Sequence, residues 1–162
     1  FIYVDGNITG GDGAVKLGNA KQTFPMNTFC GSIKAGGNPN GAAKSVISTN
    51  LYCMDSDGKN QILGVKQPLL VTWVTTLTNG STAGTRSTEV KGEICSKGDL
   101  ELDNVTIYGD VRVEGKLKIG HNVIVNGNVV CNNIENVKGL TCYKNIYNES
   151  RNRSKWRGVY IQ

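Results

Sequence analysis

Long apolar runs are missing from this chain of 162 residues. No stretch reaches the roughly 18 consecutive apolar residues that a membrane-spanning helix requires. Histidine is nearly missing too, with His121 its single example. No Ser-His-acid or paired-carboxylate spacing stands out around it, so the expectation is a protein that is not an enzyme. No CxxC occurs, which removes the zinc-ribbon and thioredoxin-type patterns, and no cofactor is expected. Charged residues make up only 19% of the chain against 38% hydrophobic, unlike a disordered polyelectrolyte. Runs of good helix formers are scarce, which excludes a coiled coil or helical bundle. Glycine (21) and asparagine (18) are abundant instead, as in proteins built from short strands and tight turns. The first residue is Phe rather than Met, as expected of a processed chain or part of a longer one.

A repeat carries the fold reading. From Val105 to Leu140 the chain reads in sixes: VTIYGD, VRVEGK, LKIGHN, VIVNGN, VVCNNI, ENVKGL. Positions one and three are aliphatic and two residues apart, so on a strand they share a buried face. Position two (Thr106, Arg112, Lys118, Ile124, Val130) points outward, and this ladder offers no stacked aromatic residues or clustered carboxylates. Position five is mostly Gly or Asn (Gly109, Gly115, Gly127, Asn133), as a corner with positive φ would demand. His121 falls at the same position and is read as a corner residue. Three short sides closing a rung of about 18 residues, stacked at about 4.8 Å, predict an all-β parallel β-helix with a triangular section.

Four segments follow. Residues 93–140 form the main β-helix, with Ile94–Asp99 and Leu100–Asn104 as imperfect hexads. Residues 1–19 supply an N-terminal rung, because Ile2-Tyr-Val4-Asp-Gly6-Asn7 matches Val123-Ile-Val125-Asn-Gly127-Asn128. Residues 20–92 lack hexads and are expected to be an inserted β-rich subdomain, with strand-like runs at 45–54, 61–65 and 69–78. Asn79-Gly80 there is a hairpin signal, and the hairpin is expected to face a partner. Residues 141–162 form a basic, aromatic tail or cap. Within it Arg151, Arg153, Lys155, Trp156 and Arg157 are candidates for binding a polyanion or partner, without a clear nucleic-acid signal.

The V-x-V-x-G-x cadence of 94–140, with 2–19, resembles the bactofilins and related polymer-forming β-helical proteins. It also resembles the β-helix carried behind a pilin-like segment in minor type IV pilins and surface proteins of Gram-positive bacteria. The resemblance implies a right-handed β-helix and a structural or adhesive module of a bacterial surface structure, the helix acting as a spacer or stacking unit. Its implied partners are pilus subunits or further copies joined through the β-helix ends, with a cell-wall or host-surface ligand. Any membrane contact would pass through an upstream segment. A carbohydrate-binding β-helix and a cytoplasmic bactofilin-type filament are the alternatives.

Five cysteines leave at least one unpaired in a monomer. Cys131 falls at an inward position and reads as a small buried hydrophobe. Cys95 and Cys142, and Cys30 and Cys53, are the candidate disulfide partners, although the spacing allows other connectivities. Two bridges would indicate an oxidising, extracellular location. Asp55-Ser-Asp57-Gly58-Lys59-Asn60 has a calcium-loop flavour, but its glycine falls too early for an EF-hand, and it reads as a polar turn between strands.

Overall fold

A computed structural model describes residues 1–10, 15–19, 21, 26–36, 45–64 and 88–148. Its strands are short and follow one another in sets. The first set is β1 (Ile2–Tyr3), β2 (Asn7–Thr9) and β3 (Lys16–Gly18), and the second is β4 (Asn27–Cys30), β5 (Ser32–Ala35) and β6 (Val46–Ser48). Next come β7 (Asn50–Cys53), β8 (Lys59–Leu63) and β9 (Thr88–Val90), then β10 (Ile94–Ser96), β11 (Asp99–Asp103) and β12 (Val105–Ile107). Longer strands follow: β13 (Val111–Ile119), β14 (Val123–Val125) and β15 (Val129–Glu135). A 3-10 turn (Val137–Gly139), β16 (Leu140–Cys142) and β17 (Ile146–Asn148) complete the set.

Among the described residues every strand pairs in parallel with its counterpart in the next set, and the pairings collect into two sheets. One has 11 strands, with β1-β4-β7-β10-β13-β11-β8-β5-β2 as its main path and β15 and β17 continuing beyond β13. The other has six, in the order β16-β14-β12-β9-β6-β3. β13 is where the larger sheet curls. Its first residues pair with β10 (Ile94↔Val111) and its last with β11 (Leu102↔Ile119). The chain therefore turns a corner inside one strand, and a register shift between Val113 and Lys116 against β15 marks the bend.

This arrangement corrects the expected triangular hexapeptide β-helix. Two of the three expected walls are one sheet curled into a half-barrel, because β13 and β15 run through the corner that the hexads placed there. The inserted β-rich subdomain is corrected as well. β4 to β9 lie in the same two sheets, between β1–β3 on one side and β10–β12 on the other. The repeat is hidden there because the spacing between paired residues varies. It runs from Ile2 to Thr28, Thr28 to Leu51 and Leu51 to Ile94, and falls to 17 or 18 residues only at Ile94, Val111, Val129 and Ile146. The expected strand over 69–78 and the Asn79-Gly80 hairpin lie outside the described residues.

Both sheets feed one core. Val105, Ile107, Val111, Val113, Leu117, Ile119, Val123, Val125, Val129 and Cys131 all face inward and are buried, as the alternation at positions one and three predicts. Each fully buried aliphatic side chain contributes roughly 1.5–3 kcal/mol. The earlier strands add Ile33, Ile47, Leu51, Ile62, Val90, Ile94, Leu100 and Leu102 to the same cluster.

Position five behaves differently from its expected role. Positive φ occurs at Asn104 (49°), Asn122 (53°) and Asn136 (59°), and not at His121, Gly109 or Gly127. Glycine is needed at 109 and 127 because successive turns touch. A Cβ on Gly109 would lie 2.3 Å from the carbonyl oxygen of Gly92, and one on Gly127 would lie 2.3 Å from that of Gly109.

Buried polar groups also join turns. Asn60, in β8, is 1% exposed among aliphatic neighbours. Its Oδ1 accepts the Ile33 backbone N–H at 2.9 Å, and its Nδ2 donates to Ser96 Oγ at 2.8 Å. Ser96 Oγ passes the chain on to the Gly98 carbonyl at 2.8 Å. Among the described residues no buried side-chain nitrogen or oxygen lacks a partner. Asn60→Ala strands the Ile33 N–H in the core, so urea unfolding is expected to show a loss of about 2–3 kcal/mol. A loss under about 0.5 kcal/mol, the range of neutral surface changes, would mean this network does not hold β5 to β8.

Candidate functional site

Parallel in-register pairing turns single outward positions into continuous strips. On the outer face of the larger sheet, Tyr3, Phe29, Tyr52, Cys95, Arg112, Val130 and Tyr147 follow one another strand by strand. They point outward because their neighbours Thr28 and Cys30, or Leu51 and Cys53, point into the core. The Phe29 and Tyr52 rings stack with centroids 4.9 Å apart and planes at 16°. This strip corrects the expectation of an outward ladder without stacked aromatics, which rests on the later hexads alone. Rings stacked in this way use their faces on each other and turn their edges to solvent. Exposed aromatic surface is thus concentrated at the ends of the strip, where Tyr3 is 68% and Tyr147 40% exposed.

The middle of the strip is polar. Arg112 Nε meets Glu93 Oε1 at 3.1 Å, with both side chains partly exposed, so the pair contributes little to stability. Burial, then the charge of Glu93, pushes the Tyr52 phenol up. The Cys95 thiol beside it is pushed up to about 11, chiefly by desolvation and then by Glu93. A thiol held there remains protonated at neutral pH and is a poor nucleophile.

On the other half of the larger sheet, Lys34, Gln61, Glu101, Lys118 and Glu135 form a second outward strip. Gln61 Nε2 donates to Glu101 Oε2 at 3.0 Å, and Lys116 Nζ donates to Glu135 Oε1 at 3.0 Å. That contact raises the Lys116 ammonium pKa. Lys118 stands between Glu101 and Glu135, so like charges are kept apart along the strip. A solvated, charge-alternating wall results.

The five cysteines are distributed unequally. Cys30 and Cys53 are in register on β4 and β7, both buried, with their sulfurs 3.9 Å apart. An S–H···S contact joins the two thiols, lowering the Cys30 pKa and raising that of Cys53. Cys131 is buried in the same inward column, with Ser96 and Val113 between it and Cys53, and burial pushes its thiol up to about 11. Cys95 faces outward on the larger sheet, whereas Cys142 lies on β16 in the smaller sheet, where its thiol donates to the Gly127 carbonyl at 3.2 Å. The structure thus brings Cys30 and Cys53 together and leaves Cys95 and Cys142 apart.

His121 occupies an exposed corner. Its side chain is 78% exposed, with Nδ1 3.7 Å from Asp103 Oδ1, and its backbone N–H donates to that oxygen at 2.6 Å. Asp55, Ser56 and Asp57 lie on an exposed turn between β7 and β8. Among the described residues no group of three or more His, Cys, Asp or Glu is placed to hold a metal. No helix among them is long and apolar enough to cross a membrane. Arg151, Arg153, Lys155, Trp156 and Arg157 lie outside the described residues.

The remaining feature is where apolar surface is left uncovered. Eight large hydrophobic residues are exposed among the described residues. Phe1 (90%) and Tyr3 (68%) lie in the first set of strands, and Val137 (48%), Tyr143 (67%), Ile146 (39%) and Tyr147 (40%) lie around the last. Only Met54 and Tyr108 fall between. Strands β1 and β2 end the main path of the larger sheet, β17 ends its extension, and β3 and β16 end the smaller sheet. Among the described residues, the strands that end the sheets and the exposed apolar side chains therefore coincide at both ends of the stack. Sequence reading missed this because each position is unremarkable until the pairings place it at an end.

No model of a known protein family, no curated protein and no solved structure matches the chain. The resemblance to bactofilins and pilin-borne β-helices is corrected by the topology, a curled two-sheet arrangement in place of a triangular β-helix. The role drawn from it, a spacer or adhesive module of a pilus-like surface structure, is corrected with it, as are the carbohydrate-binding β-helix and bactofilin-filament alternatives.

Proposed function

We propose that the chain is a non-enzymatic association domain that binds a second copy of itself, the first strands of one copy pairing with the last strands of another. The observation that carries this reading is the clustering, among the described residues, of six of the eight exposed large hydrophobics in the first and last sets of strands. Strands that end a sheet among the described residues, as β3 and β16 do, offer rows of N–H and C=O groups that template a further strand. The columns support the pairing. Continuing the register of the smaller sheet by one strand sets Cys142 of one copy against Leu17 of the next. Ile134, which ends the inward column through Leu117 and Leu100, meets Ile8, which begins it beside Ile33. Such contact is heterologous, since two different surfaces meet and each copy keeps one edge free.

Sedimentation velocity over a wide concentration range tests the proposal. The native chain is expected to sediment faster as concentration rises. Ile146→Asp, at a 39% exposed site, is expected to keep its fold by circular dichroism and to weaken association tenfold or more, about 1.4 kcal/mol. A native chain that stays monomeric at every concentration, or an Ile146→Asp chain that associates as well as the native one, overturns it.

A further inference from the structure

We propose that Cys30 and Cys53 form a disulfide that ties β4 to β7 inside the core. The two residues are direct register partners on neighbouring parallel strands, and their sulfurs lie 3.9 Å apart. Parallel neighbours about 4.8 Å apart fall within the Cα window of about 4.4–6.8 Å that disulfides accept. Rotation of the side chains closes the remaining gap without moving either strand to a new register. No other pairing is offered to either sulfur. The next residue down the column is Ser96, Cys131 lies beyond Val113, Cys95 faces the opposite side of the sheet, and Cys142 belongs to the other sheet. The inference is independent of the association proposed above.

The chemistry is thiol–disulfide exchange with an external disulfide, either a small molecule or a protein oxidant. The Cys30 thiolate attacks one sulfur of that oxidant, forming a mixed disulfide and expelling the first thiol. The Cys53 thiolate then displaces the second thiol, so two protein thiols are oxidised, the oxidant disulfide is reduced to two thiols, and the two protein protons are taken up by the departing thiolates. Both cysteines are buried, at 2% and 1% exposure, so the exchange precedes the packing of β7 against β4. Once the turns have packed, the same burial shields the bond from reductant. The bond closes a loop between residues 23 positions apart, a stretch that contains β5 and β6.

The test is to refold the full chain in a buffer of oxidised and reduced glutathione, block free thiols with an alkylating agent, and map peptides by mass spectrometry without reduction. A Cys30–Cys53 cross-linked peptide is expected, with the other three cysteines alkylated. A chain carrying Cys95→Ala, Cys131→Ala and Cys142→Ala is expected to form the same link. Reducing the bond under denaturing conditions and refolding is expected to lower the melting temperature by about 5–10 °C. Alkylation of both Cys30 and Cys53 in the refolded native chain overturns the proposal, as does linkage of either one to Cys95, Cys131 or Cys142. A melting temperature unchanged by reduction overturns the claim that the bond ties the two strands in the folded state.

Discussion

Val111→Asp is expected to abolish the cooperative fold at room temperature. Val111 is fully buried at the start of β13, and its column neighbours on either side, Ile94 and Val129, are buried as completely. A carboxylate there finds no cation and no donor that is not already engaged in the sheet. It either remains charged in an apolar site or takes up a proton at a large cost, and in both cases a loss of about 5 kcal/mol or more follows. That is comparable to the whole stability of many domains. Arg112→Ala, one residue on and pointing outward, provides the contrast. It removes only an exposed ion pair with Glu93 and is expected to cost no more than about 1 kcal/mol. Urea denaturation followed by circular dichroism separates the two. A Val111→Asp chain that unfolds with the native midpoint would show that the inward assignment of β13 is wrong.

The second large effect is at Gly109, and it distinguishes two reasons for a glycine. If a corner needs positive φ, asparagine is the mildest replacement, because it tolerates the left-handed region better than alanine. If the corner needs closeness, any Cβ is harmful and a larger side chain is worse. Gly109 has no positive φ, and its added Cβ would lie 2.3 Å from the Gly92 carbonyl oxygen and 2.6 Å from the carbonyl carbon. Backbone cannot rotate away as a side chain tip can, so the two turns must separate. Gly109→Ala is therefore expected to lose about 3 kcal/mol, at the upper end of ordinary overpacking, and Gly109→Asn at least as much. Thermal unfolding of both variants gives the order directly. Asparagine proving milder than alanine would reinstate the conformational reading and contradict the close approach. The same carbonyl-to-glycine contact recurs at Gly92 against Thr49 and at Gly127 against Gly109, so the loss is expected to repeat there.

How much of this was legible in the sequence depended on the length of the turns. From Ile94 onward, paired residues recur every 17 or 18 positions, and the aliphatic alternation showed both strand location and inward face. Val105 and Ile107, Leu117 and Ile119, and Val123 and Val125 are all buried where the alternation placed them. Before Ile94 the same columns continue, but they carry Thr28, Cys30, Cys53 and Asn60 at inward positions, each satisfied by a neighbouring turn. A polar residue facing the core looks like a break in an alternating pattern. Variable connections removed the period as well. Together these made six strands of the two sheets read as a separate subdomain.

The outer surface was legible only in part. Hexads after Val105 indicated outward Thr, Arg, Lys, Ile and Val, and those residues are outward in the sheets. Phe29 and Tyr52 are 23 residues apart in the chain, so no local window pairs them, yet register sets their rings 4.9 Å apart. The cysteines show the same limit. Spacing allowed many pairings, and only in-register neighbours bring two sulfurs to 3.9 Å.

The sequence by itself determined the strand positions and inward faces of the regular stretch, because alternation of side chains is a property of a few consecutive residues. It also determined the all-β composition, through abundant Gly and Asn and scarce helical runs. Only the tertiary structure decided that two expected walls are one curled sheet, that Gly109 is needed for closeness, that Asn60 bridges turns, and which residues end the stack. Each of those depends on which distant strands become neighbours, and that choice is made by packing and backbone pairing across the whole chain.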